Sequence, residues 1–219
     1  MRVLGVIAIV LAGCGEPPLV MKPLPPLAPP MVPARELVLH QVVVVPGEHL
    51  IWEVQARGFT IGRAELSVGD HEITSRFRTS ALISAVSPVE HDLKTVFANA
   101  IPQEMTERIL ADGKDRQFVT HLAGSTTNSF HTALNIIRTW ASPDAPPGFI
   151  AVVFANKMYR LDLFQPIAQG AALRVDGKIV GPDADPPIAF SLWLDDTRKP
   201  VRIEIRDGDD RVTAELIAS

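Results

Sequence analysis

The sequence predicts a mainly β domain: an antiparallel sheet that curls, as a sandwich or partial barrel, and carries one amphipathic helix. Three observations predict it. Apolar residues recur at every second position in several stretches, short turn signals separate those stretches, and a single segment switches to the 3.6-residue period of a helix.

The chain opens with Arg2 and the apolar run from Val3 to Leu11, followed by small Ala12 and Gly13 and then Cys14. Charge, apolar run and small residues, in that order, are an export signal. The run falls far short of the ~20 residues that span a bilayer. Leu11-Ala12-Gly13-Cys14 also resembles a bacterial lipobox. The resemblance implies cleavage before Cys14, a thioether-linked diacylglycerol on its sulfur and an acyl chain on the new terminus. Residues 1–13 are therefore expected to be a lipoprotein signal peptide, and the membrane a partner through acyl chains on Cys14. Each buried methylene contributes about 0.8 kcal/mol, so two or three chains on one residue hold durably. Gly15, in place of an aspartate, leans toward the outer membrane, facing the periplasm. Cys14 is the one cysteine in 219 residues. The mature chain is left without a disulfide, a second thiolate or a cysteine-based zinc site.

Residues 14–35 then read as a tether. Pro17, Pro18, Pro23, Pro25, Pro26, Pro29, Pro30 and Pro33 exclude a helix or a central strand. Over Glu16 to Pro33, an extended polyproline spacer at ~3.1 Å per residue would reach roughly 55 Å. From Glu36 the composition changes, and residues 36–219 are enough for one β-rich domain with a core of ordinary size. The chain holds 21 basic and 25 acidic residues, a net charge of −4. That balance argues against a nucleic-acid partner.

Within the domain, Leu50, Trp52, Val54 and Ala56 alternate with polar residues, as do Gly62, Ala64, Leu66 and Val68, and again Val201, Ile203 and Ile205. Period two means one buried and one wet face, the pattern of antiparallel sheet. Gly69-Asp70, Asp112-Gly113, Asp176-Gly177 and Asp207-Gly208 are the expected hairpin turns, since such pairs tolerate positive φ. Ile150 to Phe154 is nearly continuous apolar sequence and reads as a strand covered on both faces, or as the lining of an apolar groove beneath the helix. Ten or more strands are expected.

The helical segment is NSFHTALNIIRTWASP. Phe130, Ala133, Leu134, Ile137 and Trp140 fall on one face; His131, Thr132, Asn135, Arg138 and Thr139 fall on the other. Asn128 or Ser129 caps its start and Pro143 stops it. Such a helix packs on the sheet as part of a filled core, or covers an apolar cavity. Phe130, Leu134, Ile137 and Trp140 are the candidate ligand-contacting residues in the second case, while general packing density favours the first.

Pro46-Gly47-Glu48 before Ile51-Trp52, then Gly62-Arg63-Ala64, the helix, Lys157 to Leu161, and finally Asp195-Asp196-Thr197-Arg198-Lys199-Pro200-Val201 line up in order. Together they resemble a family of bacterial exported proteins catalogued as a domain of unknown function. The likeness covers most of residues 42–218, and its closing Asp-Asp-Xaa-Arg-Xaa-Pro-Val is the most specific piece. Trp52 stands where tyrosine is commoner in that family. The resemblance implies a β-rich envelope domain and brings no catalytic residues.

Asp195 and Asp196 invite an acid/base or cation reading, but their place between two strands favours a turn, with Asp196 as its capping residue. His40, His49, His71, His91, His121 and His131 form no i, i+4 pair and read as solvent-facing positions. No Gly-Xaa-Ser-Xaa-Gly elbow occurs. No catalytic residue, metal or cofactor is assigned. The expected function is that of a lipid-anchored periplasmic binding or scaffolding protein acting on an envelope component, whether protein, glycan or acyl chain. The alternatives are an envelope hydrolase with a site assembled from distant residues, and a purely structural lipoprotein. A lined cavity with converging polar groups would favour the enzyme.

Overall fold

The computed structural model describes residues 35–38, 45–85 and 87–219. Cys14, His40 and the tether up to Ala34 lie outside them. The elements in chain order are β1 (Arg35–Glu36), β2 (His49–Ala56), β3 (Phe59–Val68), β4 (Glu72–Thr79), α1 (Ala81–Ser84), β5 (Glu90–Ala98), β6 (Ile101–Ala111), β7 (Lys114–His121), α2 (Phe130–Trp140), β8 (Gly148–Phe154), β9 (Lys157–Leu163), β10 (Ile167–Gln169), β11 (Ala172–Gly181), β12 (Ala184–Leu194), β13 (Pro200–Asp207) and β14 (Asp210–Ala218). The strands form one sheet in the order β1-β8-β9-β11-β12-β13-β14-β2-β3-β4-β5-β6-β7, with β10 on β11. Every pairing is antiparallel except the short parallel contact of β1 with β8.

Local chemistry sets the hairpins. Arg57-Gly58, Asn99-Ala100, Asp112-Gly113 and Ala155-Asn156 all take positive φ at both turn residues, the type I′ geometry that matches strand twist. Gly208 takes φ 60° in the turn before β14, one residue later than the Asp-Gly signal suggested. Asp176-Gly177 is not a turn. It sits inside β11, paired with Ser191 and Phe190 of β12. Gly177 is needed there for closeness, because a Cβ would lie 2.5 Å from the Phe190 ring.

Register shifts at Val54/Gln55, Val96/Phe97, Ile179/Gly181, Trp193/Leu194 and Leu216/Ala218 bend the sheet. Bulges of this kind raise local twist, and the sheet curls until its two ends approach. It does not close by a ladder. The chain leaving β7 crosses the gap instead. Asn128 N–H donates to the Ala151 carbonyl at 3.0 Å and Val153 N–H donates to the Asn128 carbonyl at 3.0 Å. On the other side of the gap, the Glu107 carboxylate of β6 accepts the Ala155 N–H at 2.6 Å and meets His91 Nε2 at 2.8 Å. Glu107 is 0 % exposed. The tip of the β8–β9 hairpin is thus fastened to the far end of the same sheet, with Phe154 edge-on to His91.

The concave side is filled by α2. Ala133, Leu134, Ile136, Ile137 and Ala141 pack among Leu50, Trp52, Leu66, Val68, Ile73, Phe97, Ile150, Val152, Leu163, Val175, Leu192 and Leu194. Those residues come from strands along nearly the whole length of the sheet, so the sheet wraps the helix. Ser129 caps the start, its side chain accepting the Thr132 N–H. Arg138 in the last turn donates to both Glu48 oxygens, at 2.8 and 3.0 Å, a site that also favours a cation at a helix C-terminus.

Truncating Leu134 to Ala should cost about 2–5 kcal/mol of unfolding free energy. Urea denaturation measures it; a loss below 1 kcal/mol would mean the helix is not part of the core.

Candidate functional site

The four candidate ligand-contacting residues do not converge. Leu134 and Ile137 are buried in the core, Trp140 packs against it with its Nε1 donating to the Pro146 carbonyl at 3.2 Å, and Phe130 is 45 % exposed. Leu134 alone of the four lines a cavity of about 10 Å³ beside Val68, Ile73, His131, Asn135 and the Glu48–Arg138 pair. That is room for about one water molecule.

The helix face expected to be wet is largely interior: Thr139 is exposed and Arg138 half-buried, but the other three residues are not. His131, Thr132 and Asn135 are all buried. Their polar atoms are satisfied by a network that period-two and period-3.6 arithmetic did not anticipate. Thr95 Oγ1 donates its one hydrogen to Ser129 Oγ at 3.0 Å and therefore accepts from His131 Nδ1–H at 2.9 Å. The Nδ1–H tautomer leaves Nε2 to accept the Ser75 hydroxyl at 3.0 Å. Thr132 meets Ser129 Oγ through both its hydroxyl and its N–H, and Asn135 Nδ2 donates to the His131 carbonyl. Burial, and after it the neighbouring His91, pulls the His131 imidazole down to about 3. His131 is therefore neutral and 1 % exposed, not a solvent-facing position.

A serine hydroxyl on a histidine Nε2 is the geometry of an activated nucleophile. Here two features oppose it. The orienting group on Nδ1 is a threonine oxygen rather than a carboxylate, and a base held near 3 is a weak proton acceptor at neutral pH. The cavity next to it is also too small for a substrate. The arrangement works as a buried polar network. Among the described residues, no three His, Cys, Asp or Glu side chains gather as a metal site.

The Asp195-Asp196 pair resolves into a turn, capped by Asp195 rather than the expected Asp196. Asp195 Oδ1 accepts the Thr197 hydroxyl at 2.7 Å, the Thr197 N–H at 2.9 Å and the Lys199 N–H at 2.8 Å. Partial burial pushes its carboxyl up, but these hydrogen bonds and the Lys199 charge win and hold it below the usual range. Asp196 is exposed. Arg198 takes φ 66° and its Nη1 donates to the Ala141 carbonyl at the end of α2. The Pro200 carbonyl accepts Trp52 Nε1 at 2.9 Å. The closing motif therefore ties the β12–β13 turn to the helix and to β2.

The convex face carries its own buried charge. Glu204 was expected on a wet face, yet it is 1 % exposed. Arg202, Arg206 and Arg211 cover it, with Arg211 donating at 2.6 Å. Burial raises the Glu204 carboxyl, and the hydrogen bonds and charges of Arg206 and Arg211 outweigh this to hold it low. Beside it Trp193 lies between the Arg174 and Arg202 guanidinium groups, at 5.4 and 4.9 Å from its ring. A ring flanked in this way offers little free face for stacking a sugar.

Sequence reasoning missed Ser75, Thr95, His91 and Glu107. A signal existed. Thr95 shares the strand parity of Leu93 and Phe97, and Glu107 that of Met105 and Ile109. A polar residue at a core parity points to a buried partner.

No family model and no curated protein matches the chain. Among solved structures it is similar to a β-barrel-like protein of domain of unknown function DUF1849 from Brucella abortus. The TM-score is 0.53 at 10 % identity, covering 80 % of this chain and 97 % of that one. That likeness shows the fold alone. Two alignments with sliding-clamp structures of Caulobacter crescentus have a TM-score of 0.13, at 10 and 9 % identity. They cover 84 and 78 % of this chain and 61 and 57 % of those, and carry no argument.

His131 makes stability depend on pH. Its unfolded imidazole titrates near 6.5 and its folded one near 3. Between those values the unfolded chain binds the extra proton, so stability is full above 6.5 and falls as pH drops. The slope is up to about 1.4 kcal/mol per pH unit. Urea unfolding between pH 6.5 and 5 should be steeper in the wild type than in His131→Gln. Equal slopes would mean that His131 is not held neutral.

Proposed function

We propose that the chain is a lipid-anchored binding or scaffolding protein of the bacterial envelope, and that its envelope partner is a protein bound on the outside of the domain. The observation that carries this reading is the filled concave side. Ligand pockets occupy about 300–1,000 Å³, whereas the space beside Leu134 is about 10 Å³. An acyl chain has no room under α2. The enzyme alternative loses support for the same reason, since Ser75 and His131 meet without a place for a substrate. The lipobox at Cys14 supports anchoring at the membrane, and the proline-rich stretch to residue 35 supports a stand-off between membrane and domain.

Two measurements test the two halves. Cys14→Ser should move the protein from the membrane fraction to the soluble fraction and abolish labelling by radioactive palmitate. Retention on the membrane without label would remove the anchor from the proposal. Photo-crosslinking residues placed singly at exposed Phe59, Met158, Ile167, Ile217 and Val119 sample the surface. At least one should give a discrete protein adduct in cells. Adducts only to lipid or glycan, or none, would overturn the protein-partner reading.

A further inference from the structure

Among the described residues β7 has a neighbouring strand on one side only, β6. The phase of its free side follows from the turn before it. Asp112 and Gly113 form a two-residue type I′ turn with φ 53° and 68°, so Ala111 and Lys114 are a hydrogen-bonded pair. The Leu122 N–H, bonded to the Gln103 carbonyl at 2.8 Å, lies in the same phase at the other end. Residues 114, 116, 118 and 120 therefore bond to β6. Asp115, Gln117, Val119 and His121 turn their backbone N–H and carbonyl groups outward.

The other end of the sheet is treated differently. The outer edge of β8 is occupied by β1 at Gly148 and Phe149, and by Asn128 at Val152. Among the described residues the ladder thus ends open at one side and covered at the other.

Charge along the free edge is equally uneven. On the convex face of the neighbouring strands Arg76 and Arg78 pair with Asp92, and Arg108 pairs with Asp115. Lys114 and Arg116 stand on the opposite side of β7, in one row with Phe118, and both are exposed. Among the described residues no carboxylate pairs with either. A strand laid against this edge would place every second side chain along that row.

We propose that the β7 edge, Lys114 to His121, is the docking site for an extended acidic segment of a partner protein, which adds as a further strand with carboxylates facing Lys114 and Arg116. The proposal rests on the protein-partner reading above and names where and what that partner presents. Backbone hydrogen bonds from residues 115 to 121 supply the affinity, and alternate side chains the choice, as in strand addition generally. Charged residues on an edge also discourage indiscriminate pairing. Here the same two cations reject a basic strand and admit an acidic one.

The test uses the full-length chain in mild detergent and labelled octapeptides of alternating Glu-Val or alternating Lys-Val, read by fluorescence anisotropy. The Glu-Val peptide should bind, with the Lys-Val peptide at least tenfold weaker. Lys114→Glu with Arg116→Glu should weaken Glu-Val binding roughly tenfold and turn the preference toward Lys-Val. Gln117→Pro removes one outward N–H without touching the β6 ladder, a position where an edge strand tolerates proline. It should abolish binding while the melting temperature stays near that of the wild type. Lys178→Glu, an exposed cation on β11, is the control and should change nothing. Failure of Glu-Val to bind, or binding indifferent to both the charge reversal and Gln117→Pro, overturns the proposal. A dimer that Gln117→Pro converts to monomer also overturns it, in favour of a second copy on the edge. A silent crosslinker at Val119 with protein adducts elsewhere sinks this edge alone. Silence at every position sinks the protein-partner reading with it.

Discussion

A helix wrapped by a sheet on nearly every side must find a partner for each polar atom it carries, and this requirement organises the domain. An unpaired buried donor or acceptor costs about 1–3 kcal/mol, so α2 could not enter the concave side with His131, Thr132 and Asn135 unsatisfied. Ser75 and Thr95 meet that need from two neighbouring strands. Their hydroxyls fix the rotation of the helix about its axis as well as its depth. A rotation by one residue, about 100°, would carry the imidazole away from both hydroxyls. Apolar packing alone would tolerate several such settings. The network accepts one.

The ends of the helix are held by the rest of the chain. Ser129 caps the start and stands one residue after Asn128, which bridges to β8. Closing the sheet and starting the helix are thus one local event. At the other end Arg198 binds the Ala141 carbonyl and Arg138 binds Glu48. The β12–β13 turn is therefore shaped by two demands. Asp195 folds the backbone back on itself, which aims Arg198 at α2 and the Pro200 carbonyl at Trp52. Within the closing motif Asp195, Arg198 and the Pro200 carbonyl each hold a specific partner. A turn held in that way acts as a joint in the fold.

What the sequence made legible follows from periodicity, and what it hid follows from pairing at long range. The alternation of Leu50, Trp52, Val54 and Ala56 named β2 and its buried face, and the helix from Phe130 to Trp140 was bounded by Ser129 and the residues before Pro143. The wet face of α2 was misread because periodicity counts polar residues as outside, and His131 is polar but fully partnered. Glu204 was misread for the same reason: three arginines from β13 and β14 make an inside on the outer surface. Asp176-Gly177 was misread because glycine serves closeness as well as turning, and only the Phe190 ring across the ladder distinguishes the two. Ser75 and Thr95 showed in strand parity, but their partner on a helix 36 or more residues away did not.

Filling the concave side has a consequence for where this domain can act. In a curled sheet the inner face is the natural pocket, and here the chain's own helix occupies it. The convex face is then the larger surface left, and much of its charge is already neutralised. Asp92 serves three arginines, one of them Arg108, which also reaches Glu90 and Asp115, and Glu204 serves three. The exposed pairs among these contribute little stability each, about 0–1 kcal/mol. Their larger effect is on recognition, since a paired carboxylate or guanidinium must give up its partner before it can bind another. On the binding reading proposed above, specificity shifts to groups that the described residues leave unspent: backbone donors and acceptors along an uncovered strand, and cations without a counter-ion. On that reading the helix that closes the interior is also what moves recognition to the rim of the sheet.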